Sequence, residues 1–300
     1  QDSVDWLSLG VFAELEIDIS DKLSGLFGVR TDYSDYDVLS NLSDNSGRGS
    51  DDIWLPSIGF AYEVGSFGEV YLNWGKGFHS NDVRGATIAF DPLSNNELES
   101  VALFSGQDGA EAGYRIERDD DLLLSLTYFW LQSDSELIFA GDSGGTEASD
   151  GSERTGLEVS VFWELNSNWV VDVSGSFTDS KFVGVDPRFN HIPNAHGRVI
   201  SMGLTHAPVL GWNWSMRVRH FGDAALVEDD SINYPSTTLV NMGLSYKTDR
   251  WTAGVDLFNL ANSKDYDIAY WYSSRLMSEV LPVEDIHFHT VNPRSIRVSL

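Results

Sequence analysis

The closing segment Pro293–Leu300, which reads PRSIRVSL, carries the pattern that is decisive for the fold. Ile296, Val298 and Leu300 are apolar and alternate with serine and arginine residues. A period of two places apolar side chains on one face of an extended segment and polar side chains on the other. The pattern therefore predicts a β-strand with two different faces. The preceding segment, Asp267–Asn292, is rich in aromatic and charged residues, and we expect a large loop that is too polar for a core.

The composition favours an all-β protein. The 300 residues include 27 Gly, 10 Trp, 11 Tyr and 16 Phe, and short alternating segments recur throughout, as they do in all-β folds. No apolar run reaches the roughly 18 residues of a membrane helix, whereas the strands of a membrane barrel have a much weaker hydropathy signal. The net charge of −27 argues against binding to nucleic acid, and the absence of cysteine excludes disulfides and thiolate metal sites.

Alternation of this kind predicts about 13 strands, joined alternately by short turns and long loops. The predicted strands are Trp6–Ile19, Leu23–Tyr33, Ile53–Glu63, Phe67–Gly77, Ala110–Glu117, Leu122–Phe139, Arg154–Leu165, Trp169–Phe182, Arg198–His206, Trp212–Phe221, Thr238–Lys247, Trp251–Leu260 and Arg294–Leu300. The short turns are predicted near Asp21, Gly65, Asp119, Ser167, Pro208 and Asp249. A polar loop is expected over Asp37–Asp51.

This alternation of connection lengths indicates an antiparallel meander with short turns at one end and long loops at the other. Transmembrane β-barrels have this asymmetry. We expect the apolar side chains of Val171, Val173, Trp214, Met216 and Val218 to face lipid. A girdle of aromatic residues is expected near the short turns, formed by Phe67, Trp163, Trp169, Trp212, Trp214, Tyr246 and Trp251. The alternative is a soluble β-sandwich, which also has alternating strands.

Several segments, taken in order, resemble TonB-dependent outer-membrane receptors. They are Tyr71–Gly85 (YLNWGKGFHSNDVRG), Gly109–Arg115 (GAEAGYR), Gly141–Ala148 followed by Glu153–Glu158, Arg219–Gly222 with Glu228–Ser231, and Leu257–Leu260. The resemblance covers essentially the whole chain. It implies that residues 1–300 are the C-terminal portion of a larger barrel of 22 strands, without its first strands and without its plug domain. An odd number of strands agrees with a missing amino-terminal part, because bacterial single-chain barrels have even numbers.

The function implied by the resemblance is active transport across the cell outer membrane of a Gram-negative bacterium. The cargo would be a scarce nutrient, an iron chelate such as a siderophore or another metal complex. The implied partners are outer-membrane lipid, lipopolysaccharide and the TonB-ExbB-ExbD system, which would act through the missing plug. No cofactor is implied. A passive porin-like channel or a surface-binding barrel is the alternative, and an enzyme is disfavoured because no nucleophile elbow or phosphate-binding loop occurs.

The sharpest candidate site is His287-Phe288-His289. Residues two apart in a strand share a face, so the imidazoles of His287 and His289 are predicted to form a metal-binding pair or to contact the cargo. Imidazole and carboxylate groups suit zinc, copper, nickel or iron, and Glu284 and Asp285 are close in sequence. We include Arg275 as a supporting residue. The alternative is that both histidines pack or form hydrogen bonds at the base of the loop.

A second candidate group consists of His79, Asp82 and Arg84, at the end of another predicted strand. These residues are also predicted to contact cargo, with local packing as the alternative. The acidic run Glu228-Asp229-Asp230 has the oxygen donors that calcium prefers. The alternative for this run is a solvated acidic loop.

Overall fold

A computed structural model describes residues 2–66, 68–91, 96–119, 121–135, 137–140, 145–148 and 150–300, with the backbone alone for 137–140 and 145–148. Thirteen strands form one sheet, and we number them β1–β13 in chain order. They are Ser3–Ser20, Leu23–Leu39, Gly47–Val64, Gly68–Ser80, Phe104–Arg118, Leu122–Ser133, Ser152–Asn166, Trp169–Phe182, Arg198–His206, Gly211–Phe221, Thr237–Lys247, Thr252–Phe258 and Ser295–Ser299. The number and places of the strands agree with the sequence prediction.

The remaining elements lie in the long connections. Three small two-stranded sheets pair Leu137–Ala140 with Gly145–Ala148, Ala224–Ala225 with Asn233–Tyr234, and Tyr266–Ser274 with Val283–Thr290. A short helix, α1, spans Val83–Thr87, and 3-10 turns span Ser43–Asn45 and Pro187–Phe189. None of the helical segments in the described residues has the length and apolar character needed to cross a membrane.

The main sheet is an antiparallel meander in which every strand pairs with its neighbours in sequence order. β1 and β13 are the two edges, so the sheet is open. The short connections are 21–22, 65–67, 119–121, 167–168, 207–210 and 248–251, and the long ones are 40–46, 81–103, 134–151, 183–197, 222–236 and 259–294. Because successive connections of a meander lie at opposite ends, all short turns are at one end and all long loops at the other. The predicted topology is confirmed.

The pairing register separates an apolar face from a polar face. In one row across five strands, Trp163, Val171, Leu204, Met216 and Met242 are directly opposite one another. Side chains opposite each other in a ladder share a face, so this row is apolar from β7 to β11. No second sheet of comparable size packs against it in the described part of the chain. The sandwich alternative is therefore wrong.

The polar face carries ion pairs that cross from strand to strand. The Arg217 guanidinium donates two hydrogen bonds of 2.9 Å to the Asp172 carboxylate, although β9 lies between β8 and β10. Gly203 of β9 lies between the two residues, and a Cβ atom there would be 2.2 Å from Asp172 Oδ1. The pair can therefore form only because this position has no side chain.

Aromatic side chains cluster at the short-turn end, as predicted. The rings of Trp169 and Trp214 meet edge to face at 5.1 Å, and those of Trp212 and Tyr246 do so at the same distance. Trp251 lies 5.8 Å from Tyr246. Phe67 lies outside the described residues. Such a belt is typical of strands that end at a membrane interface.

Several boundaries differ from the sequence prediction: for example, β1 begins at Ser3 and β5 at Phe104, ahead of the predicted Trp6 and Ala110. The strand predicted to reach Phe139 ends at Ser133, and a separate small sheet follows. The loop predicted over Asp37–Asp51 is shorter, because β2 extends to Leu39 and β3 begins at Gly47. The polar residues at the ends of β2 and β3, on either side of the 40–46 connection, are compatible with strand structure, because the antiparallel ladder between these two strands continues beyond their apolar parts.

The predicted large loop before the closing strand is mostly a β-hairpin, which we call the outer hairpin: Tyr266–Ser274 paired with Val283–Thr290. The expectation that this segment is too polar for a core is wrong. Ala269 is fully buried, and it joins a cluster with Ala224, Leu226 and Tyr234. A second buried cluster, formed by Val38, Val83, Leu103 and Phe104, lies under α1. The sequence pattern did not reveal the buried face of the outer hairpin, because aromatic and charged residues occur together in both of its strands.

Candidate functional site

The outer hairpin has two different faces. Register places Tyr270 opposite His287 and Tyr272 opposite Asp285, so these four side chains share one face. Ala269, Trp271 and Ile286 alternate with them and pack against the cluster formed by the 222–236 loop. The hairpin is therefore docked by its apolar face, which leaves the face with Asp285, His287 and His289 away from that core.

The two histidines of this face have separate partners. The His287 ring stacks on the Tyr272 ring, with centroids 3.8 Å apart and planes at 19°, and its Nε2 lies 3.3 Å from the Tyr272 carbonyl oxygen. His289 Nδ1 lies 2.8 Å from each carboxylate oxygen of Asp267. Among the described residues, no group of three or more metal-ligating side chains is arranged to hold an ion. The metal pair remains a prediction.

The supporting residues of the hairpin lie around this face. Asp285 Oδ1 accepts a hydrogen bond of 2.7 Å from the Ile286 backbone N–H, which orients its carboxylate. Glu284 is opposite Ser273 on the other face, and Arg275 follows directly after the first strand of the hairpin. Both side chains are exposed. The hairpin therefore brings Asp285, His287 and His289 to one face and does not bring Glu284 to it.

Asp82 and Arg84 are joined to each other. Asp82 is the N-cap of α1 and accepts a hydrogen bond of 2.8 Å from the Arg84 backbone N–H. The Arg84 guanidinium also donates to both Asp82 carboxylate oxygens, at 2.9 and 2.6 Å. This hydrogen bonding lowers the pKa of Asp82 below its ordinary value, and partial burial offsets some of the decrease. The pair thus has a local structural role, and contact with cargo remains a prediction.

His79 is at the end of β4, opposite Ser105 of β5. Its Nε2 atom is buried and has no hydrogen-bond partner among the described residues. An unpaired buried polar atom is unfavourable by about 1–3 kcal/mol. His79 is therefore the member of this second group with a free hydrogen-bonding atom.

The two predicted groups do not meet. His79 belongs to β4 and the outer hairpin connects β12 to β13, and seven strands of the sheet lie between β4 and β12. At ~4.8 Å per strand, the separation along the sheet is about 38 Å. The groups therefore lie on different parts of the long-loop end and do not form one compact site within this sheet.

The acidic run in the 222–236 loop is organised as a turn. Asp229 Oδ1 accepts hydrogen bonds from the Ser231 N–H at 3.0 Å and from the Ser231 hydroxyl at 2.6 Å. These bonds lower the pKa of Asp229. The carboxylate is therefore engaged in the turn, and the described residues include no metal-binding group at this place.

His196 and Tyr234 connect two loops and were not predicted from the sequence. His196 Nδ1 lies 2.8 Å from the Gly222 carbonyl oxygen, and its Nε2 lies 2.5 Å from the Tyr234 hydroxyl. Tyr234 is 4% exposed, and burial raises its pKa. Because Tyr234 also packs with Ala269, this link positions the outer hairpin. No sequence motif indicates a contact between residues so far apart along the chain.

Comparisons with known proteins agree with this architecture. A family model described as TonB dependent receptor-like, beta-barrel matches residues 4–260. The ferric yersiniabactin uptake receptor FyuA from Yersinia pestis is 16% identical with a TM-score of 0.72, over 100% of this chain and 46% of that one. The ferric citrate transporter FecA is 13% identical with a TM-score of 0.74, over 98% and 44% of the two chains. The copper transporter OprC is 14% identical with a TM-score of 0.69, over 87% and 43%. The chain spans less than half of each of these proteins, and the likeness to them concerns the fold.

Proposed function

This chain belongs to the TonB-dependent receptor family, and from that premise we propose that it is part of an outer-membrane barrel that takes up a scarce nutrient with energy supplied through TonB. We propose further that residues 1–300 are the C-terminal portion of a 22-stranded barrel. The plug domain and the first strands would then be supplied by segments outside this chain. Members of the family are transporters and not enzymes.

The observation that carries the proposal is the family match over residues 4–260 on a meander whose long loops all lie at one end. In a barrel, this end would face the cell exterior and the short turns would face the periplasm. The apolar face would contact outer-membrane lipid and lipopolysaccharide. The polar face, with the Asp172–Arg217 pair, would line the lumen and contact the plug through which the TonB-ExbB-ExbD system acts.

We propose a metal chelate as the cargo, with an iron complex such as a ferric siderophore as the first choice. The names of FyuA, FecA and OprC support this class, since they refer to two ferric chelates and to copper. We propose that the outer hairpin contacts the cargo through Asp285, His287 and His289. The docking of its other face, through Ala269, on Leu226 and Tyr234 of the 222–236 loop supports this, because it holds the polar face in a defined position.

Uptake by the full-length receptor that contains this chain tests the transport proposal. A strain without the receptor should lose growth on one or more ferric chelates under iron limitation, and the receptor gene should restore it. Inactivation of TonB should abolish the restored uptake. Uptake that continues without TonB would indicate a passive channel, and the transport proposal would then be wrong.

The contribution of the histidines is tested by the double substitution His287→Ala and His289→Ala. The two imidazoles would bind the cargo together with the carboxylate of Asp285. We therefore expect the double variant to bind the cargo more weakly and to assemble its barrel like the wild type. The matched control is His220→Ala, which removes a partly buried histidine of β10 whose Nδ1 lies 2.8 Å from Thr238 Oγ1. Equal cargo affinity in the double variant and the wild type would assign both histidines to the hairpin's own structure.

A further inference from the structure

Asn259 directly follows β12 and begins the segment that carries the outer hairpin. It is 4% exposed, and its φ of +48° lies in the left-handed region, which asparagine tolerates better than most residues. Its backbone N–H donates a hydrogen bond of 2.9 Å to Asn241 Oδ1 of β11, and the N–H of Leu260 donates to the Val240 carbonyl oxygen at 2.7 Å. The sheet therefore fixes the position of Asn259 before the hairpin begins.

The side chain of Asn259 joins both ends of the outer hairpin. Its Nδ2 donates to the carbonyl oxygens of Ser263 and Asn292, both at 2.9 Å, and its Oδ1 accepts from the Ser263 N–H at 2.9 Å. Ser263 lies three residues before the first hairpin strand, and Asn292 lies two residues after the second. Both donors of the amide are thus used, and one side chain connects the chain that enters the hairpin and the chain that leaves it to the end of β12.

The hairpin ladder continues from these ends to the face that carries His287. The Val291 N–H donates to the Asp265 carbonyl oxygen at 3.0 Å, and the two strands then pair with one register shift. At ~3.3 Å per residue, His287 is about 16 Å from Asn292, so a rotation of about 10° at the base would move it by about 3 Å. A binding group must be held within about 0.5 Å of its productive position. The direction of the hairpin at Asn259 therefore determines where this face lies.

Two other contacts of the outer hairpin do not fix its direction by themselves. Ala269 packs on the 222–236 loop, and a ladder that is held at one point can pivot about that point. The Thr237 hydroxyl of β11 donates to the Tyr266 carbonyl oxygen at 2.7 Å, but this bond reaches only the entering strand. Asn259, in contrast, contacts both ends of the hairpin. Its side chain is therefore the contact that sets the angle between the hairpin and the sheet.

We propose that Asn259 is the positioning residue of the cargo site on the outer hairpin. It does not touch the cargo. It holds both ends of the hairpin on β12, so that the face with Asp285 and His287 has one orientation before the cargo arrives. The proposal rests on the proposed function of that face. An orientation that is set in advance raises the fraction of receptor that is competent to bind, and the apparent affinity is proportional to that fraction.

The orientation is tested without cargo, in the full-length receptor in nanodiscs. Spin labels are attached to cysteines introduced by Ser273→Cys in the hairpin and Asp249→Cys in the short turn 248–251, and double electron–electron resonance measures the distances between them. We expect a narrow distribution for the wild type and a broad one for Asn259→Gly, which keeps the left-handed backbone and loses the three side-chain hydrogen bonds. Asn194→Gly is the matched control, because Asn194 has a φ of +62° and its side chain has no hydrogen-bond partner among the described residues.

The consequence for cargo is measured on the same variants with ferric citrate, a ferric catecholate and a ferric hydroxamate. If the hairpin of Asn259→Gly has the correct orientation for about a tenth of the time, the affinity for the bound chelate falls about tenfold. Asn194→Gly should bind like the wild type. If none of the chelates binds to the wild type, the proposed function is wrong, and the positioning role is wrong with it. Unchanged binding by Asn259→Gly would overturn the positioning role alone.

A second variant, Asn259→Asp, decides the question if Asn259→Gly does not show the heat-modifiable gel mobility of an assembled barrel. It keeps the acceptor for the Ser263 N–H and places a carboxylate against two carbonyl oxygens. Its distance distribution should be broad at about pH 8 and narrower at about pH 5, because a protonated carboxyl group can again donate to one carbonyl oxygen. A narrow distribution in Asn259→Gly, equal broadening in Asn194→Gly, or no dependence on pH in Asn259→Asp would overturn the proposal.

Discussion

The thirteen-stranded sheet and the long-loop end use apolar residues in opposite ways. Every residue of β1 is exposed, and Met202 and Met216 on the apolar face are 47% and 42% exposed. At the long-loop end, in contrast, Val38, Leu103 and Ala269 are almost completely buried. A membrane barrel obtains its apolar surroundings from lipid, whereas loops in water must cover their own apolar side chains.

The difference shows that the sheet and the long loops of one chain are stabilised by different interactions. The strands are held by continuous backbone ladders and by polar-face pairs such as Asp172–Arg217. The loops are held by two small clusters and by buried hydrogen bonds such as His196–Tyr234. A substitution in one region should therefore leave the other region largely intact, and the following variants of the full-length receptor test this.

The largest effect is expected for an arginine on the apolar face. Val173→Arg should lower the free energy of unfolding in a bilayer by about 2–4 kcal/mol, because the charge enters hydrocarbon. Its neighbour Ser174 is on the polar face between Ser160 and Ser201 and is the matched control. Urea titrations in lipid vesicles measure the free energy of unfolding of Val173→Arg and of Ser174→Arg. A loss at Ser174→Arg that equals the loss at Val173→Arg would contradict the assignment of the faces.

A smaller effect is expected where the polar face has no room for a side chain. Gly203→Val should separate Asp172 from Arg217 and destabilise the barrel by about 1–3 kcal/mol through overpacking. Gly175→Ala is the control, since its Cβ would meet only ordinary contacts of 3.6 Å or more. If Gly203→Val is equally destabilising in wild-type and Asp172→Ser backgrounds, the ion pair is not the reason for the glycine.

In the loops, Tyr234→Phe should loosen the outer hairpin without affecting the barrel. Removal of the hydroxyl leaves His196 Nε2 without its partner, which is unfavourable by about 1–3 kcal/mol. Limited proteolysis and amide hydrogen exchange over residues 222–236 and 266–290 measure the effect. Tyr266→Phe is the control, because Tyr266 stacks on Phe288 and its hydroxyl has no hydrogen-bond partner among the described residues. Equal exchange in the two variants would disprove the role of the hydrogen bond.

The smallest effect is expected at the cap of α1. Asp82→Ala should destabilise this helix locally by about 0.5–2 kcal/mol. Since the pKa of Asp82 is lowered in the folded protein, its charge stabilises the fold above the ordinary value of 3.8, and this contribution is lost as the pH falls through the lowered pKa. Hydrogen exchange at the Arg84 amide, followed as a function of pH, measures the local stability of α1. Asp82→Asn keeps the cap acceptor and should remove the dependence on pH, so a persistent dependence would require another titrating group.

Local patterns explain why so much of the sheet was predictable. A strand shows its period of two within about five residues, so segments such as Trp169–Phe182 and Trp212–Phe221 are evident without any partner. The short turns are equally local. The extensions of β2 and β3 were missed because polar residues such as Asp37 and Asp51 continue the ladder beyond the apolar pattern. The resemblance of the ordered motifs to TonB-dependent receptors is confirmed by the family match.

The candidate site was predictable only in part. His287 and His289 do share a strand face, which follows from their spacing alone. Their partners do not follow from spacing, because Tyr272 and Asp267 come from the other strand of the hairpin. Asp82 and Arg84 were predicted to contact cargo, with local packing as the alternative, and the structure shows that each is the other's partner through a cap that depends on where α1 begins.

The sequence by itself determined which segments are strands, which of their faces is apolar, and at which end each connection lies. These properties depend on the alternation of side chains along an extended backbone, and no distant residue can change that alternation. Only the tertiary structure decided that Ala269 is buried, that Gly203 makes room for Asp172 and Arg217, and that His196 links two loops through Tyr234. Each of these contacts joins residues that are far apart in the chain, so each exists only after strand register and loop docking have brought its partners together.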